Sequence, residues 1–249
     1  MPISEVYNMD CMEYMKDIPD KFFDLAIVDP PYGINAPNMT IGTNLNRKYG
    51  GYNGESVAQR MKKGRLNQGA GKLRNRALNT MSCDWDLSKP TDEYFEELFR
   101  VSRNQIIWGG NYFHLPPTRG VLCWDKMQPW DNFSQFELAW TSFDCPAAII
   151  HLSNTGGANK EAKIHPTQKP IALYHWVFKK FVKPGDKILD THLGSGSSRI
   201  VAYKMGVDFY ATEIDKEYFE SQEKRFLREC LGEIRTKKGA LVQTSLFDV

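Results

Sequence analysis

The 249-residue sequence has no apolar run near the ~18 residues of a membrane span, and its first ten residues lack the apolar segment of a secretory signal. A cytoplasmic protein is therefore expected. The five cysteines (Cys11, Cys83, Cys123, Cys145, Cys230) include no C-x-x-C pair, which excludes a disulfide scaffold and predicts free thiols. The five histidines (His114, His151, His165, His175, His192) are equally dispersed, so no zinc site is expected. Net charge is also scarce: 32 Lys+Arg against 30 Asp+Glu leave +2. What remains, 41% hydrophobic and 25% charged residues, is the composition of an ordinary globular chain with ample core.

The small net charge is unevenly spread. Residues 36–80 hold nine basic residues (Arg47, Lys48, Arg60, Lys62, Lys63, Arg65, Lys72, Arg74 and Arg76) against the single acid Glu55. That local +8 leaves −6 for the rest of the chain. The block is rich in Gly and Asn with little apolar periodicity, so it reads as an insertion, taken as residues 36–84. A solvated loop is one reading. Interleaving of Tyr49 and Tyr52 with the cations favours a nucleic-acid surface, because phosphates reward clustered Lys and Arg while bases stack on aromatic rings.

Elsewhere strands and helices alternate. Strands are predicted at residues 5–9, 25–28, 105–108, 121–124, 136–141, 187–189 and 209–212, and helices at 11–18, 91–102, 170–182, 197–205 and 216–231. In the last helix Phe219, Phe226, Leu227 and Leu231 are expected in the core. The pattern predicts one α/β domain over residues 1–249, a Rossmann-like, mostly parallel twisted sheet with helices on both faces, ending in a tail at 236–249.

Two strand ends carry chemistry. Asp190-Thr191-His192-Leu193-Gly194-Ser195-Gly196 joins a strand to a helix, where glycines allow close backbone approach and the helix start presents free amides. Glu213 follows at the end of the next strand, positioned to accept ribose hydroxyls. The dinucleotide pattern G-x-G-x-x-G is incomplete, since Arg199 stands at its last position, and Asp190 would repel a phosphate while suiting a cationic amino group. S-adenosylmethionine fits such a site better than a dinucleotide. The second strand end is Asp29-Pro30-Pro31-Tyr32, where two prolines lock the backbone so that the Asp29 carboxylate and the Pro30 carbonyl can converge beside a Tyr ring.

These residues resemble the S-adenosylmethionine-dependent DNA amino-methyltransferases, whose D-P-P-Y motif is intact here at Asp29, Pro30, Pro31 and Tyr32. Asn8-Met9-Asp10 resembles the preceding strand end, whose acid contacts the cofactor, and His165-Pro166-Thr167-Gln168-Lys169-Pro170 resembles the family's H-P-T-x-K-P element. Motif order resembles the circularly permuted β class, and residues 106–113 and 124–142 resemble phage and prophage members. His192 departs from the usual Phe, with packing against the cofactor or a solvent-facing loop as its two readings.

The resemblance implies direct methyl transfer to the N6 amine of a flipped-out adenine in double-stranded DNA, with Asp29 and Pro30 accepting the amine hydrogens and Tyr32 stacking on the base. It implies a cofactor site of Asp10, Thr167, Lys169, Asp190, His192, Gly194, Ser195, Gly196 and Glu213. Thr167 and Asp10 have helix capping as their plain alternative, and Lys169 a surface lysine. Cytosine N4 methylation and a non-catalytic DNA-binding role are the competing readings. Because only residues 152–164 lie between the last strand and the H-P-T element, the basic insertion is expected to contact DNA. Gln243-Thr244-Ser245-Leu246-Phe247 resembles the peptide by which bacterial proteins dock on the sliding clamp, and a homodimer is a further expected partner.

Overall fold

The computed structural model describes residues 2–36, 85–128, 134–153, 161, 163–236 and 239–242. The basic residues Arg47 through Arg76 named above and the peptide 243–247 lie outside them.

β1 (Ser4–Tyr7) is followed by α1 (Cys11–Lys16) and β2 (Phe23–Val28). β1 stops earlier than predicted because Asn8 turns its side chain onto the carbonyls of Glu213 and Ile214, at 2.7 and 3.1 Å. Asp10 starts α1 by accepting the amides of Met12 and Glu13. After the insertion, α2 (Asp92–Val101) runs directly into β3 (Ser102–Trp108). β4 (Val121–Asp125), β5 (Phe136–Thr141) and β6 (Ala148–His151) follow, the last not predicted. The chain continues through α3 (Ile171–Phe181), β7 (Lys187–Asp190), α4 (Ser197–Lys204), β8 (Asp208–Thr212) and α5 (Lys216–Cys230). A hairpin of β9 (Glu233–Thr236) and β10 (Gly239–Val242) occupies part of the range predicted as tail.

Eight strands form one sheet in the order β1-β8-β7-β2-β3-β5-β4-β6. The first five are mutually parallel, β5 is antiparallel to its neighbours, and β6 is parallel to β4. Alternation along the central strands fills both faces. Leu25, Ile27, Ile106 and Trp108 meet Leu173, Val177 and Phe178 of α3 and Val201 of α4. Ala26, Val28 and Ile107 meet Met15 of α1 and Tyr94, Phe95 and Leu98 of α2. A strand buried on both sides must read as a continuous apolar run, as residues 25–28 do.

The predicted core face of α5 needs correction. Leu231 is 38% exposed and Phe219 and Leu227 are only half-buried; the buried face is Tyr218, Gln222, Arg225 and Phe226. Tyr218 and the buried polar pair face the loops at the carboxyl ends of the strands. There β2 and β7 lie side by side, Leu25 opposite Ile188 and Ala26 opposite Leu189. The chain leaves this pair in opposite directions along the sheet, the crevice where open α/β sheets bind ligands.

Candidate functional site

Asp29 emerges from β2 into that crevice and forms a compact polar cluster. The Tyr32 hydroxyl donates to Asp29 Oδ1 at 2.6 Å, and the Lys169 ammonium lies 2.5 Å from the same oxygen. Lys169 also donates to the Tyr32 hydroxyl at 3.0 Å and lies 3.1 Å from Glu137 Oε2. Glu137 Oε1 in turn meets Lys126 at 2.5 Å. Burial raises the Asp29 carboxyl above its ordinary range, Lys169 opposes that and Glu137 adds to it. Burial would raise Glu137 too, but Lys169 and Lys126 together hold it down at about 2.

The Tyr32 ring is stacked on Tyr112, with centroids 5.0 Å apart at 13°. Gly109 makes this packing possible: its φ is +71, and a Cβ there would collide with the Tyr32 ring. Asp86 clamps the turn after the motif. Its Oδ1 accepts the amides of Tyr32 and Gly33, its Oδ2 the amide of Ala36, and its carbonyl the amide of Asn35.

Two cavities meet at Asp29. One, of about 460 Å³, is lined by Asp29, Pro30, Tyr32, Tyr112, Lys126, Glu137 and Lys169 among others. The other, of about 200 Å³, is lined by Asp10, Asp29, Thr167, Lys169, Thr191, His192, Gly194, Ser195, Glu213 and Asp215 among others. Asp29, Pro31, Trp85, Thr167, Gln168 and Lys169 are common to both linings.

The smaller cavity is built from the glycine loop. Gly194 and Gly196 take positive φ, +53 and +73, and Glu213 Oε2 accepts the Gly194 amide at 2.7 Å. Glu213 Oε1 accepts the Asp215 amide at 2.8 Å. Burial pushes the Glu213 carboxyl up to about 7 against these amide hydrogen bonds. Asp190 behaves differently from the expectation. It does not line the cavity; its carboxylate accepts from the Ser198 hydroxyl (2.6 Å) and the His192 amide (3.1 Å), shaping the loop from beneath. Gly196 is likewise absent from the lining and serves as the left-handed residue before α4. His192 is half-buried on the cavity wall, packs edge-on against Tyr94 at 5.3 Å, and has its imidazole lowered to about 4 by burial.

Asp10 both caps α1 and lines the cavity, so the two readings of it coexist. Thr167 lines both cavities, with its hydroxyl 3.2 Å from His165 Nδ1. Lys169 is no surface lysine: its side chain is 4% exposed and is shared between Asp29 and Glu137.

Sequence reasoning missed Glu137, Lys126, Asp86 and Arg225. Glu137 interrupts the otherwise apolar strand residues 136–140, a readable signal, whereas Arg225 lies off the apolar face predicted for α5 and left none. Arg225, 1% exposed, donates to the Ser195 carbonyl (2.7 Å) and the Ser197 hydroxyl (2.9 Å) and pairs with Glu161 at 2.8 Å. Ser197 in turn donates to the Lys169 carbonyl at 2.8 Å, joining the glycine loop to the H-P-T element.

Residues 62–224 match the DNA methylase family of N6 and N4 amino-methyltransferases. The chain belongs to this DNA methylase family. It is similar to the type II methyltransferase M.BglII from Bacillus subtilis, 25% identical over 248 residues covering 88% of this chain and 67% of that protein. It is also similar to M2.DpnII from Streptococcus pneumoniae, 29% identical over 145 residues, and there it spans half the relative's length. The fold of this DNA methylase is shared with the cytosine-N4-specific PvuII DNA methyltransferase at a TM-score of 0.53, with 14% identity, covering 91% of this chain and 88% of that one. A protein from Thermus thermophilus, solved with S-adenosyl-L-methionine, shares it at 0.50, with 15% identity and coverage of 92% and 96%. No helix among the described residues of the methylase is long and apolar enough to cross a membrane, and no three His, Cys, Asp or Glu side chains there are grouped so as to hold a metal ion.

Proposed function

We propose that the chain transfers a methyl group from S-adenosylmethionine to the N6 amine of adenine in DNA. The observation that carries this reading is the Asp29 carboxylate on the wall common to two cavities, one wide enough for a base. The smaller cavity fits the cofactor: with the Asp29 charge met by Lys169, the acids Asp10, Glu213 and Asp215 give the rest of its lining a character suited to a cationic, hydroxyl-bearing ligand and unsuited to a phosphate. Glu213, Asp10, Thr167, His192 and the Gly194-Ser195 backbone would hold that ligand, with Asp190 and Gly196 shaping the loop behind them.

When bound, the cofactor supplies an electrophilic sulfonium methyl. The chain supplies the rest. An exocyclic amine is a weak nucleophile because its lone pair is delocalised into the ring. Asp29 and the Pro30 carbonyl accept its hydrogens, favour a pyramidal nitrogen and stabilise the positive charge that develops there. The raised proton affinity of Asp29 suits it to take up the proton the product amine releases. Tyr112 already covers one face of Tyr32, so the flipped base would pack against this aromatic pair, with the tyrosines fixed in advance.

Asp rather than Ser before Pro-Pro-Tyr favours adenine. The fold likeness to a cytosine-N4 enzyme keeps N4-cytosine as the second reading. Methylome sequencing of cells expressing the chain, with nucleoside analysis of the DNA, decides between them: N6-methyladenine supports the proposal, N4-methylcytosine replaces it, and no methylation sinks both.

We further propose the β-class permuted order, a phage or prophage origin, cytoplasmic action on DNA, DNA contact by residues 36–84, a homodimer, and clamp docking through residues 243–247. Truncation after Val242 leaves the β9–β10 hairpin whole. Loss of clamp pull-down in that variant is the expected result, and retained binding excludes the tail.

A further inference from the structure

We propose that Glu137 is a positioning residue for methyl transfer: it anchors the Lys169 ammonium on one oxygen of Asp29, so that the other oxygen is presented to the target amine. The proposal rests on the assignment of Asp29 made above. Three oxygens surround the Lys169 ammonium: Asp29 Oδ1 at 2.5 Å, the Tyr32 hydroxyl, to which it donates, at 3.0 Å, and Glu137 Oε2, its ion-pair partner, at 3.1 Å. Both observed contacts to the Asp29 carboxylate, from Lys169 and from Tyr32, fall on Oδ1.

Glu137 is itself pinned from the far side by Lys126, whose side chain is 5% exposed. The result is a row of alternating charge, Asp29, Lys169, Glu137 and Lys126, drawn from β2, the H-P-T element, β5 and the end of β4. The Lys169 backbone is held as well, through the Ser197 hydroxyl on its carbonyl. Without the Glu137 charge nothing draws the Lys169 ammonium to that side, and Lys169 is free to bridge both oxygens of Asp29 and block the amine. The environments also divide the two carboxyls. Glu137, between two cations, keeps a permanent negative charge, while Asp29, beside one, retains affinity for a proton.

The test is single-turnover methyl transfer by Glu137→Gln, Glu137→Asp and the paired variant Glu137→Gln/Lys126→Gln, which removes the outer ion pair as a unit and spares the fold an unpaired buried charge. Both Gln variants are expected to lose rate on the order of tenfold, with unchanged affinity for S-adenosylmethionine because Glu137 lines only the larger cavity. Lys169, Glu137, Tyr32, Tyr174, Tyr94 and Asp190 are the titratable groups acting on or beside Asp29. Glu137 raises the Asp29 carboxyl, so its loss moves the acid limb of the rate profile to lower pH, and Glu137→Asp restores it. Wild-type rate and an unmoved limb in either Gln variant overturn the proposal, as does an equal loss of rate and cofactor affinity. Absence of methyl transfer by the unaltered chain fails the parent reading instead, and is seen separately.

Discussion

Asp29 and Glu213 are carboxylates at the ends of two strands of one sheet, and burial raises both, yet they are satisfied differently. Asp29 meets side chains, an ammonium and a phenol; Glu213 meets two backbone amides. Replacing Asp29 by Asn keeps the shape and loses the charge that opposes the developing cation. Methyl transfer should fall by roughly 10²–10³-fold, while calorimetric titration with S-adenosylmethionine changes little; a rate within a few-fold of the unaltered chain would remove Asp29 from the chemistry. In the proposed cofactor site Glu213, pushed up by burial to about 7, would make binding pH-dependent. Below that value it carries a proton and offers one acceptor fewer to a ribose. Cofactor affinity should therefore rise as pH passes from about 6 to about 8, and Glu213→Gln should flatten the curve. Stability has the opposite sign. The folded state holds this proton more tightly than the unfolded chain, so the contribution is present at acid pH and is lost as pH rises from the ordinary carboxylate range through about 7.

At the scale of elements, the site depends on ties between segments. Arg225 of α5 fastens the glycine loop to Glu161 and, through Ser197, to the H-P-T element. Arg225→Met leaves Glu161 without its cation and the Ser195 carbonyl without its donor, and should cost about 3–5 kcal/mol in urea unfolding. A change under about 1 kcal/mol would show the network to be dispensable. Gly109 terminates β3 in the left-handed region directly against the Tyr32 ring. Gly109→Ala should displace Tyr32 and lower the methylation rate more than cofactor affinity, measured by the same transfer and titration assays. The helix and strand order of these elements was legible because periodicity and punctuation are local. Residues 170–182 and 216–231 read as helices within a residue or two of α3 and α5. The burial of Arg225 and Gln222 was not, because a polar residue on an inward face is explained only by the partners that other segments bring to it.

For the whole molecule, the ends of the insertion are the informative feature. Asp86, just after it, holds the amides of Tyr32, Gly33 and Ala36, just before it, so the basic segment leaves and re-enters the fold beside the larger cavity. Replacing Arg60, Lys62, Lys63 and Arg65 with Ala should weaken DNA binding and reduce the salt slope by up to ~0.9 for each phosphate no longer neutralised. Unchanged binding in a salt-dependent filter or anisotropy titration would assign DNA contact elsewhere.

Features that depend on neighbouring residues were legible in the chain. Pro30 and Pro31 lock one turn, Gly194 and Gly196 permit another, and the apolar run before Asp29 makes a central strand, so both loops and their order could be read in advance. The side chains that surround Asp29 are brought there by the fold. Lys169 lies 140 positions away in the chain and Glu137 108, and the strand order that seats β2 between β7 and β3, with β5 next, is what closes that distance. Removing water from the cluster then makes each charge depend on its partners, and no local pattern encodes that dependence.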